Sequence, residues 1–444
     1  MRSIDEGKSP VKRRQTGSAK ALGTWVGALI ALVLLATPPA GVAADPIGPG
    51  DTLDLERCIA IALENHPRLL AARNTLQAGE SKVGKARSGY YPQLSGAGAY
   101  SRTDPTTGAS GSTDSYTSSL ALSQKIYDFG RTATQVNIQA LNRDASRYDL
   151  DDTHSWIVFG VKQAYWGALQ SGRQREVARE VVGQFEQHLG RAKGFYEVGL
   201  RPKFDVTKAE VDLSNAKLAL LSAEKAYRLA QVSLNNAMGV PEAPPYGIAD
   251  HLFYEPPAVR LEEALRRAYD RRPDLQTITV KKMALSQGIE LARKGHYPSL
   301  SGNASYGWGG SDFPLNRGWS FGAQLNIPIF SGFATKYEIE EAQANLAVAA
   351  ANETLLRQQI YQEVKQASLG LDEAAERIAT AALSVRQAQE NLELANGRYA
   401  AGVGNPIEVT DALVALSNAK TAQISSLYDY KTAQASLEKA MGDP

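Results

Sequence analysis

The chain has 444 residues and a nearly balanced charge, with 48 basic and 47 acidic side chains. This balance provides no basic surface of the kind that nucleic acids select, so we predict no nucleic-acid partner. The sequence contains one cysteine, which excludes an intrachain disulfide.

Residues 1–44 have the three parts of a secretory signal peptide. Basic residues between positions 8 and 20 precede an apolar run from 21 to 36, and small residues follow up to Ala44. A basic region, a short apolar core and small residues before the cut are typical of such signals. The run is short for a membrane-spanning helix. We predict an exported mature chain, with a retained membrane anchor as the alternative.

The mature chain is predicted to be a structural duplication. Residues 55–96 match residues 261–302, and residues 161–239 match residues 364–442 at a slightly smaller offset. The offset changes in a loop between two strand candidates, where insertions are tolerated. A shared register of this length predicts two structural repeats. They cover 45–239 and 261–444 and are joined by a linker, 240–260.

Each repeat is predicted to run helix, helix, strand, strand, long helix, turn and helix. The long segments, 130–196 and 332–399, are rich in Ala, Gln, Glu, Arg and Leu and contain no proline. This composition favours helix at nearly every position, and about 1.5 Å per residue gives roughly 100 Å of unbroken helix. From Val364 to Tyr399 the apolar residues recur at spacings of three and four, which predicts close packing against other long helices.

Four segments alternate between two kinds of side chain, as strands with two different faces do: 93–101, 116–126, 299–308 and 319–329. One face is apolar, with aromatic residues towards the ends, and the other is small and polar. This pattern is typical of the wall of an outer-membrane barrel. A soluble sheet lying on a helix layer is the alternative, but the predicted helices are too long to cover so small a sheet.

Four strands are too few to close a barrel. An open edge would leave backbone groups unpaired in hydrocarbon, so closure has to come from other copies of the chain. Two copies supply eight strands, and three supply twelve. We therefore predict an obligate oligomer in which the duplicated helices continue as a tube beneath the strands.

The turns after the two long helices, 196–202 and 399–406, carry the candidate functional residues, and we call them the tip. Gly199 and Gly402 suit helix C-termini that need a left-handed residue, and Pro202 and Pro406 suit a first helical turn. Apolar residues beside the glycines are predicted to be exposed, where a partner could contact them: Val198, Leu200 and Val403.

Three acidic residues follow the turns: Asp205 in the first repeat, and Glu408 and Asp411 in the second. Glu408 and Asp411 are three residues apart and share a helical face. Under threefold symmetry they would form two stacked carboxylate rings that favour cations in a pore, and Asp205 is a third acidic candidate for the same constriction. The alternative for Glu408 is a capping box with Asn405, and the helix dipole favours Asp205 and Asp411 in the same way. Both roles can hold together.

The order and spacing of these features resemble one family across nearly the whole mature chain, the TolC-type outer-membrane efflux channels. The resemblance is carried by paired segments of the two repeats: 55–67, 91–94, 126–131 with 329–332, 198–200 and 440–442. It implies a mainly α-helical fold with transmembrane β-structure. In a homotrimer, four strands per chain contribute to a shared 12-stranded β-barrel above an internally duplicated, long-helix α-barrel. The linker 240–260 would lie in an equatorial belt.

The resemblance also implies a function. Such a chain is a passive duct in the outer membrane that extends into the periplasm and exports small molecules, such as drugs and toxic solutes, or proteins. A periplasmic adaptor protein and an inner-membrane efflux transporter or secretion ATPase would be its partners. The adaptor would dock at the tip, on residues 198–200 with Gly402 and Val403.

Family channels keep the tip shut with a tyrosine and an arginine of the second repeat, which bond towards an aspartate of the first. Tyr399 and Asp205 match two of these positions. Gly404 stands at the arginine position, so the chain departs from the family pattern there. Arg201 and Arg398 are the candidates to replace that arginine.

The sequence contains no motif that indicates catalysis. The five histidines are isolated, and no two of them have metal-ligand spacing on a helix. No glycine-rich phosphate loop precedes a helix, and there is no nucleophile elbow. We predict no enzyme activity, no cofactor and no metal site. The alternative function is an exported coiled-coil scaffold without a pore.

Overall fold

The computed structural model describes residues 47–104, 112–256 and 260–443. The predicted signal peptide, 1–44, lies outside the described residues. The first repeat contains β1 (Thr52–Leu53), α1 (Leu55–Asn65), α2 (Pro67–Arg87), β2 (Gln93–Thr103), β3 (Thr113–Tyr127), α3 (Arg131–Glu197) and α4 (Lys203–Met238). After β4 (Gly247–Ile248), the second repeat contains α5 (Leu261–Arg271), α6 (Pro273–Arg293), β5 (Ser299–Gly310), β6 (Asn316–Asn326), α7 (Ala334–Ala400) and α8 (Pro406–Met441).

The helices of the two repeats match one another in length. α1 and α5 have 11 residues each, α2 and α6 have 21, α3 and α7 have 67, and α4 and α8 have 36. The predicted duplication and the unbroken long helices are therefore confirmed. The boundaries 45–239, 240–260 and 261–444 stay a prediction.

The long helices pack through the apolar stripe that the spacing predicts. On α7 the buried residues recur along one face: Ile360, Val364, Leu371, Ala374, Ala381, Leu392, Ala395 and Tyr399. The opposite side of α7 remains exposed and carries leucines of its own, among them Leu369 and Leu383. One stripe of α7 is thus covered within the chain, and a second apolar face is left open.

The long helices form one layer with a clear order. Around the tip α4 packs on α3, α3 on α8, and α8 on α7; farther from the tip, α2 packs on α3, α3 on α6, and α6 on α7. The layer therefore ends in α4 and α2 on one side and in α7 on the other. These edge helices are where another chain can continue the layer.

Each long helix begins directly after two residues with positive φ. They are Phe129 (φ 53°) and Gly130 (φ 76°) in the first repeat, and Gly332 (φ 61°) and Phe333 (φ 68°) in the second. The left-handed conformation costs a non-glycine residue roughly 1–2 kcal/mol. The glycine occupies a different member of the pair in each repeat, so the same backbone turn is kept although the side chains have changed places.

The four long strands form a single antiparallel sheet in the order β2-β3-β5-β6. The register places like faces together; for example, Leu120 lies opposite Tyr306, and Ser123 opposite Asn303. The predicted fourth strand, 319–329, is displaced by three residues: β6 runs from Asn316 to Asn326, and residues 327–329 are not paired. Pro328 has no N–H to continue the ladder. Within the described residues, no helix has the length and apolar character needed to cross a membrane.

The described part of the linker is tied to the middle of the long helices. β4 pairs with β1 in a parallel ladder. The Tyr165 hydroxyl of α3 donates to the Ala249 carbonyl at 2.6 Å, and the Arg173 guanidinium bonds both carboxylate oxygens of Asp250 at 2.8 and 2.7 Å. The linker thus crosses α3 about halfway along that helix. Its predicted place in an equatorial belt stays a prediction.

Candidate functional site

The two turns of the tip have closely similar backbones. Gly199 (φ +75°) and Gly402 (φ +80°) adopt the left-handed conformation that the sequence predicts. The Leu200 N–H donates to the Phe195 carbonyl at 2.9 Å, and the Val403 N–H donates to the Arg398 carbonyl at 3.1 Å. These six-to-one bonds close both helix ends.

The two prolines of the turns differ in position. Pro406 is the first residue of α8, as predicted. Pro202 lies just before α4 with an extended ψ of 159°, so the prediction that it occupies the first helical turn was wrong. The residue before a helix requires a non-helical ψ while its carbonyl accepts the first helical bond. The Pro202 carbonyl does so, accepting from the Asp205 N–H at 3.1 Å.

Apolar side chains project from the tip. Val198, Leu200 and Val403 are each two-thirds or more exposed, which is unusual for side chains of this type clustered on turns. Phe204, in the first turn of α4, is 63% exposed and enlarges this surface. The sequence did not predict this exposure, because a single aromatic residue at a helix start is equally compatible with a core position and with an exposed one. Contact between these residues and an adaptor stays a prediction.

Behind the turns, the ends of all four long helices share one core around Tyr399. This tyrosine is fully buried. Its ring lies 5.3 Å from that of His188 and 5.6 Å from that of Phe195, both on α3. The Arg201 guanidinium lies 5.4 Å from the same ring. The ring of Tyr399, a residue of the second repeat, therefore contacts aromatic and cationic side chains of the first.

Three polar atoms in this core have no hydrogen-bond partner among the described residues: His188 Nδ1, Asp205 Oδ2 and the Tyr399 hydroxyl. Burial raises the pKa of Tyr399, and the charge of Asp205 raises it further. Leaving a buried polar group unpaired costs about 1–3 kcal/mol. The structure brings Tyr399 and Asp205 into one buried site but does not form the bond between them that the family resemblance implies.

Arg201 joins the turns of the two repeats. Its Nη2 donates to the Gly404 carbonyl at 2.8 Å and to the Gly402 carbonyl at 3.2 Å. A Cβ atom at Gly404 would lie 2.8 Å from the Tyr399 backbone nitrogen, so no side chain fits at position 404 without movement of the turn. Of the two candidates for the missing family arginine, Arg201 reaches the opposite turn. Arg398 instead binds Glu408.

The capping box at the start of α8 is formed. The Ile407 N–H donates to Asn405 Oδ1 at 3.0 Å, and the Asn405 N–H donates to Glu408 Oε1 at 3.3 Å. Arg398 Nε lies 3.0 Å from Glu408 Oε2 and, with the Asn405 N–H, lowers the pKa of that carboxyl. Asp411 is exposed and has no ion-pair partner among the described residues. Of the three carboxylates predicted for the constriction, Asp205 is buried, Glu408 is paired with Arg398, and Asp411 is exposed without an ion pair among the described residues.

Sequence reasoning also missed His188 and Asp212. His188 was treated only as a possible metal ligand, yet it lies at the three-and-four spacing between Phe185 and Ala192 that marks the buried face of α3. Asp212 on α4 is buried, accepts from the Thr410 hydroxyl at 3.0 Å and pairs with Lys208. It links α4 to α8 beside the Tyr399 core. The spacing of His188 from Phe185 and Ala192 is the sequence signal that could have identified its buried position.

With this geometry established, comparison with known proteins identifies the family. The model of the family described as outer membrane efflux protein matches residues 58–240 and 264–443. The chain belongs to the outer membrane efflux protein family. The two matched ranges fall one in each repeat, so the family pattern includes the duplication and both turns of the tip.

Relatives within the outer membrane efflux protein family agree with this assignment. The chain is 25% identical over 405 residues to the antibiotic efflux pump outer membrane protein ArpC of Pseudomonas putida, covering 87% of this chain and 82% of that protein. It is 29% identical to the protein CyaE of Bordetella pertussis over 371 residues, or 76% of each chain. The crystal structure of CusC has the same fold, with a TM-score of 0.77 at 20% identity, covering 92% of this chain and 99% of that one.

These comparisons confirm the predicted family and fold class. The similar proteins are outer-membrane channels and pump components rather than enzymes. Within the residues that the structure describes, no group of three or more His, Cys, Asp or Glu side chains is placed to hold a metal ion. The roles of the tip residues stay predictions.

Arg201→Ala is expected to loosen the second-repeat turn, because it removes the two bonds to the Gly402 and Gly404 carbonyls. Hydrogen–deuterium exchange of the amides of residues 401–405 should become about tenfold faster, which corresponds to roughly 1.4 kcal/mol of local stability. Lys203→Ala removes an exposed charge two residues after Arg201; it is the matched control and should leave the exchange of residues 401–405 unchanged. Equal exchange in both variants would show that Arg201 does not hold the turn.

His188 should make stability depend on pH. Burial lowers the pKa of His188 below its usual value of 6.5, against an opposing effect of Asp212. The unfolded chain therefore binds a proton more readily, and the free energy of unfolding should fall as the pH drops below about 6.5, by up to about 1.4 kcal/mol per pH unit. His188→Phe should remove this part of the acid sensitivity of the melting temperature.

The control for this experiment is His296→Gln, which replaces an exposed histidine far from the tip. It should melt with the acid sensitivity of the unmodified chain. Identical pH profiles for the unmodified chain and His188→Phe would mean that His188 does not titrate differently in the folded protein.

Proposed function

We propose that the chain is a homotrimeric outer-membrane channel that forms the exit duct of a pump. A periplasmic adaptor would dock at the tip, and an inner-membrane efflux transporter or secretion ATPase would supply the energy, while the duct itself is passive and gated at the tip. The observation that carries this proposal is that the chain's two layers, its sheet and its long helices, are both open at both edges.

The sheet needs neighbours in order to lie in lipid. Its edge strands are β2 and β6, and every residue of both strands is exposed. The outer side chains of β6 include Trp319 and Phe321, each more than three-quarters exposed. Unpaired backbone groups cannot remain in hydrocarbon. Pairing β2 of one chain with β6 of the next removes both edges, and three chains give a barrel of twelve strands.

The helix layer supports the same closure. Beside the tip the layer ends in α4 and α7, whose outer faces carry exposed apolar residues. Leu218 on α4 and Leu383 on α7 each lie about 16 residues from their turns, or roughly 24 Å along the helix. Both are exposed in the single chain. Packing α4 of one chain against α7 of the next would cover both leucines at one height.

The relatives indicate only a broad class of cargo. ArpC is named as the outer membrane protein of an antibiotic efflux pump, and we propose that this chain exports small molecules, such as drugs and toxic solutes, or proteins. The signal at 1–44 would deliver it to the outer membrane, with the long helices extending into the periplasm. The rival function, a coiled-coil scaffold without a pore, leaves the lipid-compatible face of the sheet without a purpose.

A cysteine pair tests the trimer. In a Cys58→Ala background, Leu218→Cys with Leu383→Cys should form disulfides between chains under mild oxidation, because closure places the two positions together. Denaturing electrophoresis without reductant should show a product of three chains. Leu218→Cys with Leu369→Cys is the matched control: both leucines of α7 are exposed, but they are about 14 residues, or roughly 21 Å, apart. Trimers linked equally well by both pairs would contradict this packing.

Single-channel recording in planar bilayers tests the conduit and its acidic residues. We expect a cation-preferring current, with Asp411→Asn weakening that preference more than Glu408→Gln, because Arg398 already compensates Glu408. Arg398→Gln should strengthen the preference by releasing the Glu408 charge. Unchanged selectivity in these variants would indicate that both carboxylates act only as helix caps. A complete lack of ion current would refute the conduit and favour the scaffold.

A further inference from the structure

A cavity of about 390 Å³ lies where the sheet of the first repeat meets its long helix, and we call it the junction cavity. It is bounded by the end of α2, the last residues of β3 and the start of α3, with Leu291 of α6 also in its lining. Its lining includes three cationic side chains and one carboxylate: Lys85, Lys125, Arg131 and Asp128. Such a concentration of positive charge in a concave site attracts anions.

The three cations form no ion pairs among the described residues, whereas the carboxylate accepts hydrogen bonds. None of Lys85, Lys125 and Arg131 forms an ion pair among the described residues. Asp128 caps α3: its Oδ2 accepts from the Thr132 N–H at 2.8 Å and from the Thr132 hydroxyl at 2.5 Å. Its Oδ1 accepts from the Gly130 N–H at 3.1 Å. Three cations and one carboxylate give the junction cavity a net positive charge, and none of the three cations forms an ion pair within the described chain.

The fold does not require these charges. In the second repeat the same three positions are Leu291, Pro328 and Ala334. The backbone there is nevertheless conserved, because the two long helices match in length and follow the same pair of left-handed residues. A structural role for the cations would have to be replaced in the second repeat, and apolar residues stand there instead.

The register of the sheet indicates which side of the wall the site faces. Lys125 lies opposite Ser301, on the face that pairs Ser123 with Asn303. Ile126 lies on the other face, since its Cδ1 is 3.2 Å from where a Cβ of Gly302 would be. In a membrane barrel the apolar face contacts lipid and the small polar face lines the water-filled interior. Lys125 therefore points towards the interior.

We propose that the junction cavity binds multivalent anions, solutes that carry phosphate or several carboxylate groups, on the inner wall of the duct. This inference rests on the proposed channel, since the interior exists only once the wall is closed. The Arg131 guanidinium offers paired donors that match a phosphate or carboxylate, and the two lysines act as mobile point charges. In a trimer the three cavities would form a ring of nine cations at the base of the barrel.

Two measurements with inorganic tripolyphosphate as the probe test the site. Calorimetric titration of the purified, detergent-solubilised protein should show saturable binding. In planar bilayers the same anion should block the current. The variant Lys85→Leu/Lys125→Gln/Arg131→Ala gives positions 85 and 131 the side chains of the second repeat and leaves position 125 polar but uncharged. It should raise the concentrations for half-binding and half-block by about tenfold or more, because three cationic contacts to the anion are lost.

The charge-conserving variant Lys85→Arg/Lys125→Arg, which leaves the Arg131 guanidinium in place, is the control and should bind and block within about threefold of the unmodified chain. A conducting channel that neither binds tripolyphosphate nor is blocked by it would overturn the site and leave the channel standing. Binding to a protein without conductance would retain the anion site but overturn both the channel and the interior location. Block that depends on anionic phospholipid in the bilayer rather than on the soluble anion would place the site against lipid and overturn the proposal.

Discussion

The organisation of this protein depends on backbone hydrogen bonds that a single chain cannot complete. A four-stranded sheet leaves the N–H and C=O groups of β2 and β6 without partners. Water satisfies such groups at a soluble surface, but hydrocarbon does not, and each unpaired group costs several kcal/mol there. The apolar outer face of the same sheet is incompatible with a soluble surface. Together the two features support the proposed closed wall, in which the long helices would form a closed layer with the same number of chains.

The duplication supplies a backbone on which side chains have diverged in separate ways. The repeats share element lengths, left-handed turns and the break between strand and long helix. Side chains at equivalent positions of the two repeats can therefore be compared on the same backbone. At the tip, the first repeat supplies Arg201, which reaches across to the glycine-rich turn of the second. At the other end of α3, the first repeat carries cations where the second is apolar.

The core of the tip is well packed, but several of its buried polar atoms lack hydrogen-bond partners within the described chain. Tyr399 is fully enclosed, yet its hydroxyl and the neighbouring atoms of His188 and Asp205 lack hydrogen-bond partners within the described chain. Most buried polar groups in native proteins are paired, so this cluster holds the helix ends together less firmly than packing alone would suggest. Local regions of low stability are where moving parts of proteins are found. Low local stability at the tip is what the proposed gating would require.

The sequence by itself determined the duplication, the long unbroken helices, the strand faces and the left-handed glycines of the tip, because each rests on local periodicity or on the backbone freedom of one residue type. It misjudged the end of the last strand and the place of Pro202, where a single proline shifts an element boundary. Only the tertiary structure decided that Arg201 rather than Arg398 joins the two turns, that Glu408 is already paired, and that His188 lies against Tyr399. Those contacts join residues about 200 positions apart or select one of several reachable partners, and which side chains meet across packed helices is set by the packing and not by the spacing along the chain.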